Sequence, residues 1–158
     1  MGLGSNMGDK VANIRAALEA IDRLPQTRLN RHSRFYRTAP VGKTDQDWFV
    51  NAAALVETTL PPREMLEALL SLENQMGRVR TEKWGPRLID LDLLFYGDRV
   101  MEEDGLVLPH PFMQERLFVL TPLGEIAPDW RHPILGRTCP ELAEAVNADG
   151  QEVAVLWD

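Results

Sequence analysis

The interval between apolar residues changes along this chain, and that change restricts the possible fold more than any other property of the sequence. Val11, Ile14, Leu18 and Ile21 recur three or four residues apart behind Asp9, a good N-cap, and predict a helix over 9–23. Met65, Leu66, Leu69, Leu72 and Met76 take helical spacing again between Pro61-Pro62 and Gly77, which predict the start and stop of a second helix. From Leu88 to Phe95 the interval becomes two: Ile89, Leu91, Leu93 and Phe95 alternate with Asp90, Asp92 and Leu94, the pattern of a strand. Residues 27–39, with Phe35 and Tyr36, and residues 48–59 predict two antiparallel strands joined by the polar 40–47 stretch.

With a stub strand at 2–4 the order is βαββαβ, the ferredoxin-like α+β unit in which two helices cover one face of an antiparallel sheet. Residues 106–158 predict a C-terminal extension. It comprises a Pro-rich turn, a short helix near 113–124, a helix opened by a Thr138-to-Glu141 capping box, and a strand near 152–156. At 158 residues, without repeat, low-complexity tract or linker, the chain is expected to form a single domain, 1–158.

Seventeen Lys plus Arg against twenty-four Asp plus Glu leave a net charge of −7, the wrong sign for unspecific binding to nucleic acid or anionic lipid. No apolar run approaches the roughly 18 residues that span a bilayer, and the N-terminus carries no secretory pattern. The lone Cys139 has no intrachain disulfide partner and no neighbours at metal-ligand spacing. A cytoplasmic monomer acting on small molecules, with no nucleic-acid or membrane partner, is expected. Ferredoxin-like sheets also serve as single-strand nucleic-acid platforms, but the charge and the lack of an RNP-type aromatic run oppose that use.

This acidic chain gathers Arg78, Arg80, Lys83 and Arg87 in ten residues, broken only by Glu82. Such a cluster is either a solvated loop or a set of donors for phosphate oxygens. Directly after it come Asp90 and Asp92, which on a strand point to one face about 6.6–6.8 Å apart. Two carboxylates so placed lie at an exposed edge or hold a cation, since burying them unpaired would cost several kcal/mol per ion, by order of magnitude. Magnesium suits them, because it takes one or two carboxylates and completes its shell with water and substrate phosphates. Phosphate donors followed by a magnesium platform are the two parts phosphoryl transfer requires. No Walker A loop is present, and no Ser/His/Asp or Cys/His arrangement points to acyl transfer. His110, between Pro109 and Pro111, is a surface histidine or a site residue held in a stiff loop. Trp48, Phe49, Trp84 and Phe118 are core residues or stacking surfaces for a flat heterocycle.

Gly4-Ser5-Asn6, Phe35-Tyr36-Arg37-Thr38, Asn51-Ala52-Ala53, Glu73-x-x-x-Gly77-Arg78-x-Arg80, Trp84-Gly85-Pro86-Arg87-x-x-Asp90-Leu91-Asp92, Pro109-His110 and Arg116-x-Phe118-x-Leu120-x-Pro122-Leu123 occur in this order over residues 2–128. Together they resemble the 6-hydroxymethyl-7,8-dihydropterin pyrophosphokinase family of folate biosynthesis. The resemblance implies transfer of pyrophosphate from ATP to the pterin hydroxymethyl group, with AMP leaving. It implies that Asp90 and Asp92 hold two Mg²⁺ ions, and that Arg78 and Arg87 act with them as catalytic residues on the phosphates. Glu73, Arg80, Lys83, Trp84, Leu93, His110 and Arg116 would complete the ATP site, Trp84 lying in a loop that closes over it. The pterin would lie between Phe49 and Phe118, with Gly4, Thr38, Ala39, Pro40, Val41, Asn51, Trp84 and Asp90 around it. Three departures accompany the likeness: a short first strand, a loop from Arg80 to Trp84 about one residue shorter, and Phe49 where the family usually has tyrosine.

Overall fold

A computed structural model describes residues 1–40, 47–77 and 88–156. In chain order it contains β1 (Gly2–Ser5), α1 (Lys10–Asp22), β2 (Thr27–His32), β3 (Tyr36–Thr38), β4 (Phe49–Thr58), α2 (Pro62–Gln75) and β5 (Asp90–Asp92). There follow β6 (Met101–Glu103), β7 (Leu106–Leu108), a 3-10 turn (Met113–Glu115), α3 (Leu117–Ile126), α4 (Cys139–Ala145) and β8 (Val153–Val155). Asp9 caps α1 by accepting from the Ala12 N–H at 3.1 Å, and Gly77 ends α2 with φ +82°, where a glycine pays no Cβ penalty.

The main sheet runs β5-β1-β4-β3-β8, with β2 also on β4, and every pairing is antiparallel. This is the ferredoxin-like order, with its second strand broken into β2 and β3. Ser33 bridges the break: its N–H donates to the Ala53 carbonyl at 2.8 Å, and its hydroxyl accepts the Ala53 N–H at 2.9 Å. β1 is short, as expected, yet it is paired along its whole length with β4 and from Gly2 to Gly4 with β5. β5 covers only the middle of the expected 88–95 strand. Past Asp92 the chain turns away, and the Leu94 carbonyl accepts from the His110 N–H at 2.7 Å.

Both faces of the sheet are covered. Leu3, Val50, Ala52, Ala54 and Leu91 pack against Ile14, Leu18 and Ile21 of α1 and Met65, Leu69 and Leu72 of α2. Ala53 and Leu94 pack with Val119, Leu120 and Leu123 of α3 and Cys139 and Leu142 of α4. Within the C-terminal extension α3 and α4 therefore form the second layer over the sheet, and β8 adds a strand to it beside β3. The helix expected near 113–124 divides at Arg116, which is extended (φ −121°, ψ 107°) between the 3-10 turn and α3. The capping box at Thr138 and Glu141 forms as expected. The β6–β7 hairpin was not foreseen, although Asp104-Gly105 at its tip, with Gly105 at φ +73°, is a strong two-residue hairpin signal.

The turn before α4 depends on His132, which is buried (4% exposed) and accepts from the Ile134 and Leu135 N–H groups through Nδ1, each at 3.2 Å. Burial lowers its pKa below the ordinary 6.5. The unfolded chain then binds a proton that the folded one resists, so stability is complete above about pH 6.5 and declines as pH falls toward the depressed value. Thermal melts between pH 7.5 and 5.5 are expected to show Tm falling, with a shallower decline in His132→Asn; equal slopes would overturn this assignment.

Candidate functional site

Side chains on a strand alternate between faces, and directly opposed residues of an antiparallel pair share one. Gly4 is opposite Asn51 on one side and Asp90 on the other, and Gly2 is opposite Asp92. Asn51 is in turn opposite Tyr36, and Phe49 is opposite Thr38. One face therefore presents Thr38, Phe49, Asn51, Gly4, Asp90 and Asp92, and Ala53 identifies it as the face covered by α3. Leu91, between the two aspartates, points into the α1/α2 core. The carboxylates accordingly sit on β5 at the sheet edge, half-buried.

Asn51 is buried, and its Nδ2 donates to the Thr38 hydroxyl at 2.6 Å. A Cβ on Gly4 would lie 2.6 Å from Asn51 Oδ1 and 3.8 Å from the Phe49 ring. Gly4 thus gives Asn51 and Phe49 the space they occupy. Ala39 and Pro40 continue from β3 past Thr38, where the Ala39 N–H donates to the Glu152 carbonyl at 2.9 Å. Phe118 lies half-buried on the first turn of α3, with the Arg116 guanidinium 5.7 Å from its ring centre and 5.3 Å from that of Phe112. Gly4→Ala is expected to displace Asn51 and cost about 1–3 kcal/mol by overpacking, read from urea unfolding. A variant as stable as the parent would mean that Asn51 moves freely.

Beyond the β5 edge opens a cleft of about 400 Å³. Glu73, Leu93 and His110, anticipated for ATP, line it together with Asp90 and Asp92, anticipated for magnesium. So do Leu66 and Leu70 of α2 and Leu106 and Val107 of the hairpin, an apolar pair of walls that the sequence reading missed. The Asp104-Gly105 turn and the helical spacing of α2 were the available signals. His110 accepts from the Phe112 N–H through Nδ1 at 3.2 Å, an arrangement that puts the ring proton on Nε2. Burial and then the Arg116 charge lower its pKa, against an opposing pull from Asp90, so the ring is neutral at pH 7.

Glu73 is 2% exposed, and its carboxylate accepts the Leu91 N–H at 2.7 Å. It therefore supplies the acceptor that an edge strand lacks on its outer side, fixing the backbone between the two aspartates. Glu73→Ala is expected to lose about 1–3 kcal/mol of stability in chemical denaturation, because it leaves that buried N–H without this acceptor. A loss under about 0.5 kcal/mol, the scale of an ordinary surface change, would remove Glu73 from this role.

Among the described residues no group of three or more His, Cys, Asp and Glu side chains is gathered for a metal. Two half-buried carboxylates on one strand face fit magnesium, which fills the rest of its shell from water and phosphate. Val41, Arg78, Arg80, Lys83, Trp84 and Arg87 lie outside the described residues. The ends that flank 78–87 are close together: a Cβ on Gly77 would lie 3.8 Å from the Leu88 side chain.

The sequence model of the 7,8-dihydro-6-hydroxymethylpterin-pyrophosphokinase family matches residues 1–128. Among curated proteins, a 2-amino-4-hydroxy-6-hydroxymethyldihydropteridine pyrophosphokinase of Methylorubrum extorquens is 48% identical over 152 residues, 96% of this chain and 95% of the relative. One from Pseudomonas aeruginosa is 46% identical over 150 residues, 95% and 92% of the two chains. Among solved structures, wild-type Plasmodium falciparum HPPK-DHPS with pteroate superposes with a TM-score of 0.72 at 16% identity, over 91% of this chain and 41% of that one. The chain thus spans about two fifths of that protein, and the likeness is one of fold.

Proposed function

Because the chain belongs to the 7,8-dihydro-6-hydroxymethylpterin-pyrophosphokinase family, we propose that the β5 edge and the α3-covered face of the sheet carry the family reaction. The protein is an ATP-dependent diphosphotransferase of folate biosynthesis, which transfers pyrophosphate from ATP to the hydroxymethyl group of 6-hydroxymethyl-7,8-dihydropterin. The hydroxymethyl oxygen bonds to the β-phosphorus, the bond from that phosphorus to the α–β bridging oxygen breaks, AMP leaves, and the hydroxyl proton is released.

The observation that carries the assignment of residues is the position of Gly4 between Asn51 and Asp90. That register sets Asn51 and Asp90 on one sheet face, which supports a pterin beside the carboxylates. The pterin lies between Phe49 and Phe118, with its polar edge against Thr38 and Asn51; Gly4 gives Asn51 and Phe49 their space, and Ala39, Pro40 and Val41 are assigned to the same substrate. Buried polar atoms of a heterocycle need paired donors and acceptors, and the Asn51–Thr38 pair presents both. ATP occupies the cleft, its base against Leu66, Leu70, Leu106 and Val107, with Glu73 and Leu93 in the wall. The neutral His110 donates from Nε2, and Arg116 adds fixed positive charge.

Asp90 and Asp92 would hold two Mg²⁺ ions, which neutralise phosphate charge and orient the attacking oxygen when bound. Arg78 and Arg87 steady the phosphates as charge shifts toward the leaving AMP, with Arg80, Lys83 and Trp84 completing the nucleotide side. Closing such a site against water limits hydrolysis and strengthens every charge contact within it. We assign this work to a single domain over 1–158, active as a cytoplasmic monomer on small molecules alone. The net charge of −7 supports the lack of a nucleic-acid partner.

The test is product analysis with ATP, Mg²⁺ and 6-hydroxymethyl-7,8-dihydropterin, beside a control without the pterin. Pterin-dependent AMP is expected, and Asp92→Ala is expected to abolish it with an unchanged melting curve. ADP as the product would refute pyrophosphoryl transfer, and near-normal turnover of Asp92→Ala at saturating Mg²⁺ would remove this carboxylate from the mechanism.

A further inference from the structure

Glu125, on the last turn of α3, is used by none of the steps above, yet it joins that helix to the sheet. One carboxylate oxygen accepts from the Tyr36 hydroxyl in a short hydrogen bond and from Arg34 Nε at 3.2 Å; the other accepts the Arg34 backbone N–H at 2.9 Å. Tyr36 is buried on β3 and shares its sheet face with Asn51, and two residues further on the same face is Thr38, opposite Phe49. Burial favours the neutral carboxyl of Glu125, but the bonds from Tyr36 and Arg34 outweigh it and hold the pKa below the usual Glu value. The carboxylate is thus ionised at neutral pH and makes charge-assisted bonds.

Phe118 and Glu125 are seven residues apart on α3. At about 100° per residue, seven positions return to within about 20° of the starting direction, roughly 10 Å further along the axis. Both side chains therefore leave the same flank of the helix, and the Tyr36 bond establishes that this flank faces β3. The buried stripe of Val119, Leu120, Leu123 and Ile126 sets how closely α3 sits on the sheet. Apolar packing is non-directional, so it restrains rotation and sliding of the helix poorly. Hydrogen bonds with fixed geometry restrain both. At the other end of α3 the Leu117 N–H donates to Gln151 Oε1 at 2.9 Å, so each end of the helix has a directional anchor.

We propose that Glu125 is a positioning residue for the pterin site, holding α3 so that the Phe118 ring stands opposite Phe49 at the spacing a planar heterocycle needs. This rests on the reading above that the pterin lies between those rings. Glu125 itself touches neither substrate. Its loss changes where Phe118 stands. Of the residues assigned to ATP only Arg116, the N-cap of α3, moves with the helix, while the cleft lined by Glu73, Asp90, Asp92, Leu93 and His110 lies beyond β5, away from β3.

The experiment compares Glu125→Ala, Tyr36→Phe, Phe118→Ala and the double variant Glu125→Ala/Phe118→Ala in steady-state kinetics with each substrate varied in turn, and checks the fold by thermal melting. Glu125→Ala is expected to raise the pterin KM about 10-fold and KM for ATP clearly less, since Arg116 alone of the nucleotide side is carried by α3, and Tyr36→Phe to shift the pterin KM in the same direction. Tyr36→Phe removes only a hydroxyl, and it carries the test if Glu125→Ala does not fold. In the double variant the Glu125 effect is expected to vanish, because its route is Phe118. If Phe118→Ala raises the pterin KM but neither Glu125→Ala nor Tyr36→Phe does, or if the two losses simply add, this proposal falls and the pterin site stands. If Phe118→Ala leaves the pterin KM unchanged, the stacking reading falls and this proposal with it.

Discussion

The pairing of β1 between β4 and β5 is the constraint on which the rest of the site depends. A strand turns alternate residues to opposite faces, so a slip of one residue on either side of β1 would invert everything its neighbour presents. In the register formed, Gly4 stands between Asn51 and Asp90, and the apolar partners Leu3, Ala52 and Leu91 stand together on the reverse face. The same pairing that buries the α1/α2 core thus places Asn51, Gly4 and Asp90 of the proposed site side by side. The core and the proposed site share one register, and the hydrophobic pattern enforces it.

Each half of the proposed site solves a different physical problem. On the proposed pterin side close approach decides, with Gly4 lacking the side chain that would keep Asn51 and Phe49 from the backbone. The nucleotide side must concentrate charge at the edge of a sheet in an acidic protein. Edge strands are pliable because one row of their backbone groups has no strand partner. Glu73, buried on α2, takes up the Leu91 N–H and thereby stiffens β5 between its two carboxylates. A carboxylate in a core is costly unless its oxygens are hydrogen-bonded, and here it is directed at a backbone donor.

Much of this was legible in the residues. The helical spacing in α1 and α2 and the period of two around Asp90 and Asp92 anticipated both helices and the strand, because each pattern is local and set by chain geometry. The capping box at Thr138 is likewise contained in four residues. The less legible parts depend on contacts between distant segments. Residues 27–39 divide at Ser33 because its hydroxyl is near Ala53, twenty positions away. The helix near 113–124 begins later, at Leu117, and α3 and α4 cover the second face of the sheet, where a chain-order reading left them as an appendage. The apolar walls of the cleft come from α2 and a hairpin some forty residues later, so neither segment suggests a cleft by itself.

The amino-acid sequence alone determined the βαββαβ order of the first elements, the shared face of Asp90 and Asp92, and, through its resemblance to one family, the reaction. Those properties follow from covalent geometry and from residue chemistry within short windows. Tertiary structure alone decided the neighbours: Asn51 over Gly4, Glu73 on the Leu91 backbone, Glu125 across 89 positions to Tyr36. Such partners are selected by the burial of apolar surface over the whole domain, a non-directional force that brings segments together. The directional bonds then set their final positions, and no short stretch of sequence contains both ends of those bonds.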